Sequence, residues 1–244
     1  MNSLKKTARQ VGLLWFLGSA TAGFSLVYVR PKLIIPGDAA ATVKNILAFE
    51  SLFRAGIASM ILSQILLFFF GLAIFRIFKG VNKTLATVCF ASLLVGGGIG
   101  IANSLNNLGA LVLVTNPDYT KAFQPEQLNA LAMTFLRMNN FGVGLVEIFT
   151  AIFLFCLGLL TLRSKYMPGI IGILLIVGSL GFPINTFTKI LIPQFYSPTF
   201  TQLAMFGGAL GGALPMLWLL IMGVNAPQPI GEDSYSRKID VGVP

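Results

Sequence analysis

The sequence predicts an all-α integral membrane bundle of six helices, and three observations carry that prediction. Of 244 residues, 55% are hydrophobic and only 10% charged, where an ordinary soluble domain has about 25% charged residues. Apolar runs recur six times, at 11–30, 55–78, 84–110, 141–162, 167–190 and 199–223. Each is long enough to cross a hydrocarbon core of about 30 Å, which takes roughly 20 helical residues. Runs of that length are not the short alternating segments of a barrel strand, and in lipid only helices and closed barrels satisfy their own backbones. The spans form one domain over residues 1–225, followed by a tail, 226–244, whose Pro227, Pro229 and mixed charges read as a short flexible cytoplasmic end.

The first span follows Lys5, Lys6 and Arg9 and carries Trp15 and Tyr28 near its two ends, as interfacial anchors. Ala20-Thr21-Ala22 offers a rival reading, a cleaved signal peptide that would leave five spans. Apolar residues continuing to Tyr28, with Arg30 and Lys32 beyond, favour a retained span. Before the second span, Pro36-Gly37-Asp38 reads as a turn and an N-cap, and no breaker stronger than Gly56 intervenes before Gly80. One helix of about 40 residues, roughly 60 Å, is expected there; a kink at Gly56 is the alternative. Gln124-Pro125-Glu126 opens the fourth helix, with Pro at a first helical position, and that helix continues through Leu160 unless it kinks at Gly142. Helices two and four are thus expected to extend beyond the outer face as a small cap. Pro183 frees the carbonyl of Ser179 and Pro215 that of Gly211, so spans five and six should kink or break near mid-membrane. Span three has Gly96 and Gly100, and span six has Gly207, Gly208, Gly211 and Gly212; such small-residue registers admit a close helix, inside the monomer or in a dimer.

Basic residues set the orientation. Lys5, Lys6 and Arg9, then Arg76, Lys79 and Lys83, then Arg163 and Lys165, then Arg237 and Lys238 all fall on one side, predicted to be cytoplasmic together with both termini. On the other side Arg30, Lys32, Lys44 and Arg54 mix with Asp38 and Glu50, and Lys121 with Asp118 and Glu126. The net charge of +9 is therefore a topology signal facing anionic lipid, and no nucleic-acid partner is expected.

Counting about 1.5 Å per residue from each cytoplasmic helix end places many polar groups at one outer level. They are Asn103, Asn106 and Asn107; Arg54; Arg137, Asn139 and Asn140; Asn185 and Lys189; and Gln202. Glu147 lies deeper, about 22 Å from the inner end, where a lone carboxylate costs several kcal/mol unless protonated, paired or hydrated. The plainest reading of the layer is an interface whose side chains snorkel or join helices. The functional reading makes Glu147 the floor of an outward-opening pocket, with Asn103 or Asn185 as hydrogen-bond partner and Arg54 or Arg137 at the rim. The candidate ligand-binding residues are Glu147, Arg54, Arg137, Asn103, Asn107, Asn140 and Asn185.

The chain contains no histidine, which removes imidazole acid/base schemes, Ser–His nucleophiles and His-ligated metals. Cys89 and Cys156 are too few for a metal cage and read as packing residues. Gly96-Gly97-Gly98-Ile99-Gly100 lacks the Lys-Ser/Thr ending of a phosphate loop and lies within a span. No catalytic residue, metal or cofactor is expected.

Thr7-Ala8-Arg9 ahead of Gly12-Leu13-Leu14, Pro36-Gly37-Asp38-Ala39-Ala40, Asn45-Ile46-Leu47 and Leu52-Phe53-Arg54-Ala55-Gly56 occur in that order, followed by Ala122-Phe123, Gln127-Leu128, Phe135-Leu136, Leu157-Gly158, Arg163-Ser164 and Pro168 to Leu175. In order and spacing the chain resembles the bacterial membrane family known as domain of unknown function 4386, over nearly its whole length. The resemblance implies a bacterial multi-pass membrane protein with no assigned activity. Relatives often carry a His and an acid where this chain has Asn139 and Arg137, which argues here against shared proton or metal chemistry and for binding or packing. The expected function is a non-enzymatic inner-membrane protein that binds a lipid or small amphiphile, or supports a partner membrane protein. A small carrier using Glu147 is the alternative, and an intramembrane lipid-modifying enzyme the third reading.

Overall fold

The computed structural model describes residues 3–164 and 166–224. The tail 226–244, with Arg237 and Lys238, and Lys165 lie outside the described residues. The described chain is helical, with six helical stretches long and apolar enough to cross a membrane: Thr7–Leu33, Glu50–Phe78, Lys83–Thr115, Pro125–Ser164, Gly169–Leu191 and Thr199–Ile221.

The first stretch joins α1 (Ser3–Gly23) to α2 (Arg30–Leu33) through a π-helical segment, Phe24–Val29. α3 (Ala39–Ala48) starts on Asp38, whose side chain accepts from the Ala41 N–H. The expected continuous helix from 38 to 80 does not form. It is divided at Phe49, where φ −125° and ψ 43° leave the helical region, and α4 (Glu50–Phe78) begins afresh. Gly56 is no kink: it lies buried inside α4, where an added methyl would meet the Val29 side chain.

Asn82 caps α5 (Lys83–Thr115) by accepting from the Leu85 N–H, and Asn116 caps the short α6 (Pro117–Ala122). α7 (Pro125–Ser164) runs unbroken for 40 residues, about 60 Å at 1.5 Å per residue. Gly142 does not interrupt it. The fifth stretch is divided at Leu180 into α8 (Gly169–Ser179) and α9 (Gly181–Leu191), three residues before Pro183, whose missing N–H cannot bond the Ser179 carbonyl. Pro215 has a milder effect, since α10 (Pro198–Ile221) continues through it.

α7 is the central post, packed by α5, α8 and α9, while α1 lies between α4 and α10. Two apolar clusters hold the ends of the bundle. One gathers Trp15, Phe70, Phe153, Leu157 and Leu175; the other gathers Leu33, Ile46, Phe53, Leu111 and Leu136. Trp15 lies 4.8 Å from the Phe70 ring centroid and 6.1 Å from that of Phe153, so the first span is part of the core. The glycines of α10 serve contacts within the chain: a methyl at Gly178 would run into the Gly207 carbonyl, and one at Gly211 into the Leu174 carbonyl. Cys89 and Cys156 are buried free thiols, as packing residues should be.

Candidate functional site

Between the two apolar clusters the helices do not close. A cavity of about 240 Å³ is bounded by the π segment with Arg30, by α4, α5 and α7, and by Phe182 of α9. Its walls are mostly apolar, with Leu26, Val29, Ile57, Met60, Val143 and Val146 among them. A second chamber of about 180 Å³ adjoins it, sharing Leu26, Arg30, Val143 and Glu147 and lined further by Asn140, Gly144, Asn185, Thr186, Lys189 and Tyr196. Asn139, Val146 and Thr150 line the main cavity, Asn140 and Gly144 line the second chamber, and Val143 and Glu147 border both.

The Glu147 carboxylate is held from α9. Its Oε2 accepts from Asn185 Nδ2 at 3.1 Å and lies 3.1 Å from Thr186 Oγ1. That hydroxyl also lies 3.1 Å from the Gly144 carbonyl, so its one proton is divided between two acceptors. Glu147 Oε1 has no hydrogen-bond partner among the described residues. Asn185 Oδ1 is likewise buried without a partner. One turn further along α9, Lys189 Nζ donates to the Asn140 carbonyl at 2.8 Å and sits over the Phe141 and Tyr196 rings at 4.6 and 5.8 Å.

The structure sorts the seven candidate residues. Glu147 and Asn185 meet as expected. Asn103 is used elsewhere: its Nδ2 donates to the Asn139 carbonyl at 2.9 Å, Asn139 Nδ2 donates back to the Asn103 carbonyl at 3.2 Å, and Asn106 donates to Asn103 Oδ1 at 2.9 Å. This reciprocal clamp joins α5 to α7 beside the cavity. Asn107 lines the cavity, and Asn140 contributes its backbone carbonyl to Lys189. Arg54 is exposed and paired with Glu50 at 2.7 Å, away from the cavity lining. Arg137 lines a separate surface groove with Arg30 and Asn140.

Three further residues belong to the site. Arg30 borders the main cavity, the second chamber and the groove, and its side chain has no hydrogen-bond or ion-pair partner among the described residues. Thr186 shares Glu147 with Asn185. Gln64 sits at the midpoint of α4, 8% exposed, and its amide has no partner among the described residues. Gly97 and Gly100 of α5 make room for it; a methyl at Gly100 would lie 3.0 Å from Gln64 Cδ. Counted along the helices, Gln64 is about 21 Å from the Phe78 end. Glu147 is therefore not the lone deep polar group, and a glutamine amid Ile61-Leu62-Ser63 and Ile65-Leu66-Leu67 was the available signal.

The cavity can hold a molecule and meet it with one carboxylate, one guanidinium and several amides. Three of the hydroxyls that line it are committed to backbone: Ser63 to Gly18, Ser104 to Gly100 and Thr150 to Val146. A family model described as Domain of unknown function (DUF4386) matches residues 10–223. The chain belongs to this family. No curated protein and no solved structure is significantly similar to the chain. The matched region of this DUF4386 member contains every residue of the cavity lining, from Ala22 to Phe182.

Proposed function

We propose that this DUF4386 member is a bacterial inner-membrane protein that binds a lipid or small amphiphile in the main cavity and carries out no chemistry on it. The observation that carries the reading is an apolar chamber bordered by Glu147, whose Oε1 has no hydrogen-bond partner among the described residues, and by the Arg30 guanidinium and Gln64 amide, which likewise have none. Unsatisfied buried polar groups cost roughly 1–3 kcal/mol each in a protein, and an amphiphile offers both partners for them and a chain for the apolar walls. The orientation that suits the charge distribution puts both termini in the cytoplasm and the cavity in the outer half of the membrane, with α3, α6 and the start of α7 as a cap beyond the outer face. Support of a partner membrane protein is compatible with the same ligand site.

The test is saturable binding of a fluorescent single-chain amphiphile to the purified full chain in detergent. Val143→Trp, which fills the cavity, is expected to weaken binding at least tenfold at unchanged thermal stability. Equal binding by a well-folded Val143→Trp protein would refute the reading.

A carrier role is the second reading, favoured by the tightened turn at Leu180 between α8 and α9, where the N–H bonds Val177 rather than Ile176 within a spanning helix, a few residues before Asn185 and Thr186. Locally irregular spanning helices recur beside substrate sites in transporters. Uptake of the bound amphiphile into proteoliposomes that is lost in Glu147→Gln would select this reading over simple binding.

A further inference from the structure

We infer that the occupant of the main cavity is zwitterionic: an amphiphile whose head carries an ammonium and an anionic group on a short spacer, the ammonium against Glu147 and the anion against Arg30. The inference deepens the binding role proposed above and rests on it. Of the residues bordering this cavity, Glu147 is the one acid and Arg30 the one base. The two do not pair with each other, and the ion pair found among the described residues is Arg54 with Glu50. Two opposite charges on different helices around one low-dielectric cavity, left unpaired, leave room for a ligand between them.

A purely cationic head would satisfy Glu147 and leave Arg30 repelling it. A purely anionic head would do the reverse. A zwitterion meets both, and the cavity with its occupant stays neutral. The geometry of Glu147 agrees: Asn185 and Thr186 engage Oε2 alone, and Oε1 is left for a donor from the ligand. Lys189 lines the adjoining chamber beside Glu147 and acts on that carboxylate through space, but its Nζ donates to the Asn140 carbonyl and sits over the Phe141 and Tyr196 rings, so it makes no hydrogen bond to Oε1. Gln64, nine-tenths buried on α4 and bordering the same cavity, supplies an amide for a hydroxyl or ester oxygen below the head.

Size narrows the class. A cavity of about 150 Å³ holds one benzene, so 240 Å³ takes a head and the start of one chain rather than a whole two-chain lipid. The π segment Phe24–Val29 belongs to this design, since it brings Ser25, Leu26, Val29 and then Arg30 to the wall, and π turns recur at functional sites.

The experiment is native mass spectrometry of the full chain in detergent, titrated separately with lysophosphatidylethanolamine, lysophosphatidylglycerol, dodecylamine and soluble phosphoethanolamine. Lysophosphatidylethanolamine is expected to bind at least tenfold tighter than the anionic or the cationic amphiphile. Glu147→Gln should lower its affinity to that of lysophosphatidylglycerol, and Arg30→Gln to that of dodecylamine. Glu147→Asp and Arg30→Lys, which keep the charges, should retain the preference and so separate recognition from folding; thermal unfolding of each variant is recorded alongside. Phosphoethanolamine binding as tightly as its lyso-lipid would support the same charge pair and assign a soluble source. If all three amphiphiles bind saturably within twofold of one another, the zwitterion is refuted while amphiphile binding stands. If none binds saturably, both fall.

Discussion

Asn103 and Gly142 show how a single residue sets the width of the site. The Asn103 side chain reaches α7 to bond Asn139 because Gly142 has no Cβ; a methyl there would collide with the Asn103 amide. Gly142→Ala should therefore push α5 from α7 and destabilise the protein by roughly 1–3 kcal/mol, the usual range for overpacking. Combined with Asn103→Ala the loss should be clearly less than the sum of the single losses, because the clash disappears with the amide. Denaturant unfolding of the four proteins in one detergent checks this, and strict additivity would contradict it. Gln64 gives the opposite expectation. Its buried amide has no partner among the described residues, so Gln64→Leu, close in volume, should raise the unfolding temperature by a few degrees while weakening amphiphile binding severalfold. A stability loss together with unchanged binding would show that the amide is structural.

At the scale of elements, close approach of helices depends on backbone meeting backbone. Gly178 of α8 faces the Gly207 carbonyl of α10, and Gly158 of α7 faces the Gly172 carbonyl of α8. Gly178→Ala should cost about 1–3 kcal/mol of stability and leave the oligomeric state in detergent unchanged, as measured by light scattering. A change in oligomeric state with unaltered stability would instead place this stripe in a dimer. The irregular turn at Leu180 was legible in advance because Pro183 removes a defined hydrogen bond. The break at Phe49 was not, since Ala48-Phe49-Glu50 contains neither Gly nor Pro; packing decides it, with Val43 and Ile46 of α3 and Phe53 and Ile57 of α4 buried in one cluster. The π segment was equally hidden, because Phe24-Ser25-Leu26-Val27-Tyr28-Val29 satisfies an α-helical pattern as well.

Across the whole molecule, span number and approximate limits were readable because apolar length is a one-dimensional property of the chain. The site was half readable. Depth counting along separate helices identified Glu147 and Asn185 as candidates, but depth says nothing about azimuth, and azimuth turned Asn103 toward α7 and Arg54 toward Glu50. Orientation is the remaining global quantity, and charge argues it. Arg76, Lys79, Lys83 and Arg163 flank the ends of α4, α5 and α7 on one side with no acid among them, whereas the opposite connections carry Asp38, Glu50, Asp118 and Glu126 beside their bases. Short connections rich in Lys and Arg stay on the cytoplasmic side. Single cysteines placed at Gly80 and at Gly37, both on exposed turns, in a variant with Cys89 and Cys156 replaced by Ala, give the measurement. An impermeant maleimide added to intact cells should label the cysteine at position 37 and reach position 80 only after permeabilisation. The reverse pattern would put the cavity in the cytoplasmic half of the membrane, and its ligand would then be drawn from the inner leaflet.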